Sequence, residues 1–165
     1  MLEISRLSAV SANVAARLVH RQVAVRHVCI ACGVRTNAIG TALYLWEAAG
    51  RCDLYTSSGF CGEEIAELQT MLGEGPAFEA ARQNWPVLVP DLVDHVASVR
   101  WPLLAGAAVE AGVAAIFAFP LALGAEPLGV LEIHRGDGDA LTPTEVAGAV
   151  QLADIALTLL LDDEW

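Results

Sequence analysis

The spacing of apolar residues predicts two helices in the N-terminal third of the chain. Over residues 2–19, apolar side chains recur at the a and d positions of a heptad, with Ser11 as the polar exception. These apolar positions are Ile4, Leu7, Val14 and Leu18. Over residues 22–33, one apolar face holds Val25, Val28, Cys29 and Cys32. We expect Gly33 to end this second helix, because glycine is favoured just past a helix C-terminus.

The C-terminal helix carries two apolar stripes. Its start is marked by Thr142-Pro143-Thr144-Glu145, a capping box with proline at the first helical position, so the helix is predicted over residues 142–161. A surface helix needs only one apolar stripe. We therefore expect one face on the sheet and the other against the first helix of a second subunit, across a two-fold axis. Pairing of the terminal helices within one subunit is the alternative.

Apolar runs between these helices predict five strands, over residues 38–46, 53–57, 87–89, 113–121 and 128–134. A loop-rich excursion with two Trp-Pro pairs precedes the last two strands, and it contains predicted helices over residues 62–72, 76–82 and 103–111. Strands segregated from flanking helices predict an α+β fold with an antiparallel sheet, formed by a single domain over residues 1–165. A sheet under such a lid is typical of a small-molecule pocket.

Composition and charge narrow the class of protein. No apolar run reaches 18 uncharged residues and no signal-peptide pattern occurs at the N-terminus, so we expect a cytoplasmic protein. Because the chain is 55% hydrophobic, we expect its excess apolar surface to lie at an oligomer interface. The net charge is −11, although the first 51 residues hold six arginines against two glutamates. The acidic remainder argues against nucleic-acid binding. The absence of lysine from the sequence excludes Schiff-base chemistry and Walker loops.

Five segments of the chain resemble the GAF domain family. They read LGEGPAFEA from residue 72, VPDL from 89, RWP from 100, GVAAIFAFPL from 112 and LGVLEIHR from 128. The likeness covers roughly residues 7–161 and is strongest to the GAF modules that precede RNA-binding ANTAR domains in actinobacterial regulators. The resemblance implies a central antiparallel sheet of about six strands, with terminal helices on one face and a lid on the other. It also implies a pocket under the lid, dimerisation through the terminal helices, and a role as a sensor.

The predicted ligand site combines the lid with one face of the sheet. Candidate residues are Trp85, Asp91, Arg100, Trp101, Ile116 and Ala118. Side chains alternate along a strand, so Ile116 and Ala118 share one face while Phe117 and Phe119 share the other. Only one of these sets can line the pocket, and the sequence leaves the choice open.

Two of the lid residues have alternative roles. Arg100 could receive a carboxylate or phosphate, or it could form a salt bridge to Asp91 or Asp94 that shapes the lid. Trp101, which precedes a proline, could stack on a ligand or anchor the following helix to the core.

Other members of this family bind ligands or catalyse reactions that depend on specific residues, most of which this chain lacks. Cyclic-nucleotide-binding members carry an Asn-Lys-Phe-Asp-Glu signature, and this chain has no lysine. Bilin-binding members hold the chromophore with a Cys-His pair, and none of the four cysteines precedes a histidine. For haem, the best-placed axial ligand would be His95, expected in a loop. Members that reduce free methionine sulfoxide carry a nucleophilic cysteine in the segment that here reads Gly73-Glu74-Gly75-Pro76-Ala77.

The four cysteines are expected to be thiols of the core. Cys29 and Cys32 form a CxxC pair late in a predicted helix, on its apolar face, whereas catalytic pairs sit at a helix start. Cys52 and Cys61 are too far apart in sequence to complete a zinc knuckle with that pair. We therefore expect no metal, no cofactor and no catalysis, with a thiol-based redox sensor or a methionine sulfoxide reductase-like enzyme as lesser alternatives.

The sequence thus predicts a dimeric GAF sensor that binds a small molecule and acts in transcriptional regulation, through an output domain or a partner regulator. The chain ends directly after the last helix, which fits either a stand-alone domain or a fragment. The competing prediction is a ligand-free dimerisation module. The two differ in whether the lid encloses a cavity or fills the space with its own side chains.

Overall fold

The computed structural model describes residues 2–162, apart from the side chains of Leu2 and Leu7. Its strands form one antiparallel sheet of five strands in the order β2-β1-β5-β4-β3. Terminal helices cover one face and the excursion covers the other, so the predicted α+β architecture is confirmed. The elements are α1 (Leu2–Thr36), β1 (Gly40–Glu47), β2 (Arg51–Gly59), α2 (Gly62–Leu72), α3 (Pro76–Gln83), β3 (Val87–Val89), α4 (His95–Arg100), α5 (Pro102–Glu110), β4 (Ala115–Leu123), β5 (Glu126–Arg135) and α6 (Pro143–Leu161).

The N-terminal region is one continuous helix of 35 residues, so the predicted division into helices over 2–19 and 22–33 is wrong. Gly33 lies inside α1, where glycine costs only about 1 kcal/mol relative to alanine. That cost is outweighed because the same stretch buries Val25, Cys29 and Cys32 against the sheet. The helix ends instead at Thr36, directly before Asn37, which takes a left-handed conformation with φ of 52°.

Because α1 is continuous, its two predicted apolar faces form a single stripe with heptad spacing. The positions from Ile4 to Leu18 lead in unbroken register through Arg21 to Val25, Val28 and Cys32. The C-terminal part of the stripe is buried against the sheet. In contrast, every described side chain from Glu3 to His20 is exposed. At 1.5 Å per residue, roughly 25 Å of helix therefore extends beyond the body of the domain.

The α6 helix begins with the predicted capping box, in which Thr142 N donates to Glu145 Oε1 at 2.9 Å and Glu145 N donates to Thr142 Oγ1 at 3.1 Å. It runs antiparallel to α1, since its first turns lie beside Arg35 and its last turn beside Leu18. Its buried positions are Ala149, Leu152, Ala153 and Ala156. Among the described helices, α6 alone has the length and composition to cross a membrane, a test that core helices of soluble proteins also pass.

The two faces of the sheet bury different sets of side chains from the same strands. Phe117 and Phe119 of β4 pack towards α1 and α6. Ile116 and Ala118 point the opposite way, into the layer formed by α2, α3 and α5. The sequence left open which of these two sets faces the lid, and the structure shows that it is Ile116 and Ala118.

The lid contains the predicted helices α2, α3 and α5 together with one that the sequence analysis missed. Residues 95–100 form α4, so the expectation that His95 lies in a loop is wrong. This helix has only six residues, too few for hydrophobic periodicity to reveal it. It ends at Trp101, directly before Pro102 opens α5.

Candidate functional site

Four polar side chains meet on the lid-facing side of the sheet, near its middle. They are Tyr44 of β1, Gln69 of α2, and Glu132 and His134 of β5, and each is completely inaccessible to solvent. We call this group the polar centre. Glu132 and His134 are two residues apart on one strand and so share a face. The register of β1 on β5 sets Ala42 opposite Glu132, which brings Tyr44 alongside.

One carboxylate oxygen organises the polar centre. Glu132 Oε1 lies 3.0 Å from Tyr44 Oη, 2.6 Å from Gln69 Nε2 and 2.7 Å from His134 Nε2. Gln69 Nε2 also donates to the Tyr44 hydroxyl at 3.0 Å. The tyrosine hydroxyl thus accepts from Gln69 and donates to Glu132. Such connected networks in a low-dielectric interior are stronger than isolated bonds and fix a single arrangement of side chains.

Gln69 ties the polar centre to the lid. Its Oε1 accepts a hydrogen bond of 3.1 Å from the backbone N–H of Ala77, in the first turn of α3. The preceding Gly75 has φ of 141°, a conformation that favours glycine. A Cβ at this position would lie 2.2 Å from Gln69 Oε1. Glycine is therefore required for the lid to approach the centre this closely.

Two buried atoms of the polar centre remain unpaired. Glu132 Oε2 and His134 Nδ1 have no hydrogen-bond partner among the described residues. When His134 Nε2 donates to Glu132, its Nδ1 is an acceptor, so both unpaired atoms then seek donors. A buried polar atom without a partner costs on the order of 1–3 kcal/mol. The centre is thus chemically suited to a small group that carries hydrogen-bond donors.

The hydroxyl of Tyr44 and two nearby thiols are held in their neutral forms. Burial, and secondarily the charge of Glu132, raises the pKa of Tyr44 well above its usual value. Burial also raises the pKa of Cys52 to about 12 and that of Cys61 to about 11, with Glu132 adding to both shifts. Because a thiolate is the reactive form of cysteine, neither thiol is activated as a nucleophile.

The CxxC pair lies on the opposite face of the sheet and is equally inert. Cys29 and Cys32 are buried in α1, as predicted. Burial raises the pKa of each thiol to about 12. No group of three or more histidine, cysteine, aspartate or glutamate side chains within residues 2–162 is arranged to hold a metal ion.

Three of the six predicted site residues meet in the lid. Asp91, Arg100 and Trp101 line a cleft of about 120 Å³ between β3 and α4. Arg100 forms an ion pair with Glu79 of α3, so both predicted pairings, with Asp91 and with Asp94, are wrong. Its guanidinium also lies 4.4 Å from the ring centroid of Trp101. Trp101 is 2% exposed, so its ring anchors α5 to the core.

The other three predicted residues lie apart from that cleft. Ile116 and Ala118 are fully buried on the lid-facing side of β4, where their register partners on β5 are His134 and Glu132. They therefore border the polar centre. Trp85 is 71% exposed. The structure thus divides the predicted site between the outer lid and the sheet.

No residue of the polar centre was among the six predicted site residues. A signal was present in LGVLEIHR, where Glu132 and His134 occupy alternate positions of an otherwise apolar strand before Arg135. Polar residues at such buried positions need partners. Gln69 lies within the predicted helix over residues 62–72, where no local pattern marks it as buried, although it is completely inaccessible to solvent.

Comparisons with known proteins agree on one fold. The sequence model of the GAF domain family matches residues 21–160. The GAF domain region of a Geobacter sulfurreducens PCA membrane protein superposes with a TM-score of 0.71 at 17% identity, covering 90% of this chain and 97% of that one. No protein of curated function matches the chain in sequence.

Two further solved structures share the fold at low identity. A domain of a two-component sensor histidine kinase protein from Sinorhizobium meliloti 1021 has a TM-score of 0.65 at 17% identity, covering 81% of this chain and 85% of that one. The type II free methionine-R-sulfoxide reductase from Thermoplasma acidophilum has a TM-score of 0.66 at 16% identity, covering 87% and 94%. A sensor module and an enzyme thus share this architecture, and the fold alone does not choose between them.

Proposed function

The chain belongs to the GAF domain family, and we propose that it senses a small, donor-bearing molecule at the polar centre and signals through α1 and α6. GAF domains are sensory and regulatory modules, which gives the general class of function. The observation that carries the proposal is the pair of unpaired buried acceptors, Glu132 Oε2 and His134 Nδ1. An ammonium, amide or hydroxyl group that reached these atoms would supply the missing donors.

The ligand must be small, or the lid must move to admit it. Every residue of the polar centre is fully buried beneath α2 and α3. The Gln69–Ala77 hydrogen bond is the contact that would respond first to entry of a ligand, because it joins the centre to the lid. Binding would therefore select between closed and opened arrangements of the lid.

The central strands supply a physical route from the polar centre to the terminal helices. On β5, Glu132 faces the lid while Leu131 and Ile133 pack under the helices. On β1, Tyr44 and Leu43 divide in the same way. A shift of either strand changes both layers, so the sheet itself can transmit the state of the centre.

The output proposed is a dimer formed by α1 with its equivalent in a second copy. The exposed stripe includes Ile4, Val14 and Leu18, which are 73%, 50% and 56% exposed. A solvated helix of this length with several β-branched residues is marginal by itself. Burying the stripe in a coiled coil would stabilise this part of α1. The stripe also keeps the heptad register of the residues of α1 that pack on the sheet.

The stripe can be tested by a matched pair of substitutions. Val14→Glu places a charge on the stripe, whereas Val23→Glu places one on the outer side of α1, where Val23 is 48% exposed. We expect Val14→Glu to weaken the dimer at least tenfold in sedimentation equilibrium, which corresponds to about 1.4 kcal/mol. The Val23→Glu protein should remain dimeric. A wild-type protein that is monomeric at micromolar concentration would refute the dimer.

We further propose that the domain acts in the cytoplasm, upstream of a transcriptional or antitermination output. Support comes from the five segments that resemble GAF modules of actinobacterial regulators. Four buried, unbridged cysteines are also typical of a reducing compartment. The acidic body of the domain favours an output carried by a partner protein or fused domain over direct nucleic-acid binding.

The ligand is tested by native mass spectrometry of the purified protein, followed by denaturing analysis of the same sample. We expect a non-covalent mass that is lost on denaturation and is absent from Glu132→Gln. Glu110→Gln, at an exposed glutamate of α5, is the control and should retain the mass. A wild-type protein with only its polypeptide mass, unchanged in melting temperature by amines and amino acids, would contradict ligand binding.

One observation favours a second candidate function, a ligand-free dimerisation module. The space beneath the lid is occupied by packed side chains, including Phe78, Trp101 and Leu104, each at most 5% exposed. If the unpaired acceptors bind only water, the lid would be a structural layer. The dimer would then survive while every ligand test is negative.

We do not propose catalysis. The likeness to the Thermoplasma reductase is one of fold. Cys52 and Cys61 are buried with raised pKa values, and Ala77 stands in the segment where that branch of the family needs a thiol. A non-enzymatic sensor accounts for the polar centre without a nucleophile.

A further inference from the structure

The outer surface of the lid carries an exposed group of apolar side chains. Four large ones, each more than half exposed, lie within residues 93–103, and they are Val93, Val96, Val99 and Leu103. Val96 and Val99 are three residues apart on α4 and so share one face of that helix. Single apolar residues on a surface need no explanation, whereas a cluster of them marks an interaction site. We call this group the lid patch.

The small cleft between β3 and α4 opens beside the lid patch. Val96 lines this cleft together with Asp91 and Asp94, and the cleft has a volume of about 120 Å³. Small-molecule sites are usually larger, roughly 300–1,000 Å³. Since a water molecule takes up about 30 Å³ in the liquid, the cleft has room for roughly four waters or for one aliphatic side chain. Its size therefore favours a side chain of a partner protein over a free ligand.

The carboxylates beside the lid patch have no cation to pair with. Neither Asp91 nor Asp94 forms an ion pair with any other residue in 2–162, and the Asp94 side chain does not cap α4. Arg100 is the single arginine between residues 83 and 134, and it is already paired with Glu79. The patch is therefore complementary to a surface that carries arginine or lysine beside its apolar residues.

The edge of the sheet next to the lid patch is poorly suited to an added strand. β3 is an edge strand of three residues, and Pro86 and Pro90 flank it. Because Pro90 has no N–H, the hydrogen bonds to β4 run through Val87 and Val89. Only Leu88 then directs its N–H and C=O outwards, and a short edge flanked by prolines is protected against further pairing. The geometry therefore favours a helix as the partner over an extended peptide.

We propose that the lid patch binds a basic amphipathic helix of a partner protein. The apolar stripe of that helix would cover Val96 and Val99, and one of its aliphatic side chains would enter the cleft. Its cations would lie beside Asp91 and Asp94. This surface is separate from the exposed stripe of α1, so the partner requires neither the α1 dimer nor a ligand at the polar centre.

The test is fluorescence anisotropy of a labelled amphipathic peptide of leucine and lysine, titrated with the full chain. We expect one peptide per chain, bound about tenfold more weakly when Val96→Thr and Val99→Thr are combined, because two buried methyl groups are lost while the side-chain shape is kept. Val34→Thr, at an exposed valine of α1, is the matched control and should bind as the wild type does. Asp94→Asn should weaken binding and reduce its dependence on salt. The same peptide with glutamate in place of lysine should not bind.

Several outcomes would overturn the proposal. Absence of saturable binding refutes it, as does equal affinity for the wild type and the double valine variant when circular dichroism shows both to be folded. Equal affinity for the lysine and glutamate peptides would contradict the role of charge. Binding that Val14→Glu abolishes, while the double valine variant retains it, would place the peptide on α1 instead of the lid patch.

Discussion

The two faces of the sheet are built from the same strands but differ in chemistry. The face under α1 and α6 buries mainly apolar side chains and thiols, among them Phe117, Phe119 and Ile133, while Thr41 donates a buried hydrogen bond to the carbonyl of Cys29. The face under the lid is also apolar at its margins, yet it encloses the polar centre around Glu132. One face therefore holds the fold together mainly by apolar burial, while the other maintains a connected hydrogen-bond network whose polar groups are costly to bury.

This difference suggests a division of roles. An apolar layer tolerates repacking, which suits a sheet face on which α1 and α6 change their positions. A polar network has few satisfactory arrangements and so responds sharply to a donor or acceptor brought by a ligand. In the proposed function, the layer that recognises the ligand and the layer that responds to it are separated by one sheet.

The largest effect is expected from the apolar face. Phe119→Ala should lower the free energy of unfolding by about 3–5 kcal/mol, because it leaves a cavity between β4 and the terminal helices. Urea denaturation measures the change. Phe60→Ala, at a side chain that is 94% exposed, is the matched control and should change stability by less than about 0.5 kcal/mol. Similar values for both would mean that the helix face is not packed as described.

A smaller but more specific loss is expected at the polar centre. Glu132→Ala should cost about 3 kcal/mol, because donors of Tyr44, Gln69 and His134 lose their shared acceptor in a buried site. Glu132→Gln keeps an oxygen for these donors and should cost about 1 kcal/mol. Urea denaturation of both variants tests the ranking. A Glu132→Ala protein as stable as the wild type would show that the network contributes nothing to folding.

The contact between lid and centre is tested by two glycines. Gly75→Ala should lose about 1–3 kcal/mol, because the added Cβ meets Gln69 and the backbone has positive φ. Gly106→Ala in α5, where a Cβ meets nothing within 4 Å, should instead gain about 0.5–1 kcal/mol. Thermal unfolding compares the two. Equal effects would contradict the close approach of the lid to Gln69.

Most secondary-structure elements of this domain could be predicted from its sequence, whereas the polar centre could not. Periodicity predicted most elements, because α2, α3, β3 and α6 each have clear boundaries in glycine, proline or a capping box. It failed at α1, where packing of the Cys29 face on the sheet overrides Gly33. The polar centre was missed because its bonds join residues far apart: Tyr44 and Glu132 are 88 residues apart, and Gln69 and Glu132 are 63 apart. No local pattern encodes such partners.

Near neutral pH the smallest effect should appear at the thiols, which occur in pairs on both faces. Cys29 and Cys32 lie on the helix face, Cys52 and Cys61 on the lid face, with pKa values raised to about 11 or 12. The unfolded thiols lose protons near pH 9, whereas the folded thiols keep theirs, so stability should fall as pH rises above about 9. At pH 8, Ellman's reagent should titrate the four thiols only after denaturation.

Unequal reactivity would refine the comparison between the faces. Faster modification of Cys52 and Cys61 would show that the lid opens more often than the helix layer. Rapid native-state reaction of Cys29 and Cys32 would contradict the sealed packing of α1. Alanine at each pair of positions in turn identifies the thiols that react.

The central claim is that the polar centre and the terminal helices are coupled through the sheet. Hydrogen–deuterium exchange of wild type and Glu132→Gln, read by mass spectrometry of peptides, tests it without knowledge of the ligand. We predict faster exchange in the lid and also in α6 and in the sheet-packed part of α1, residues 21–36. Changes confined to the lid and β5, with both terminal helices unaffected, would contradict the coupling and leave the two faces as independent layers.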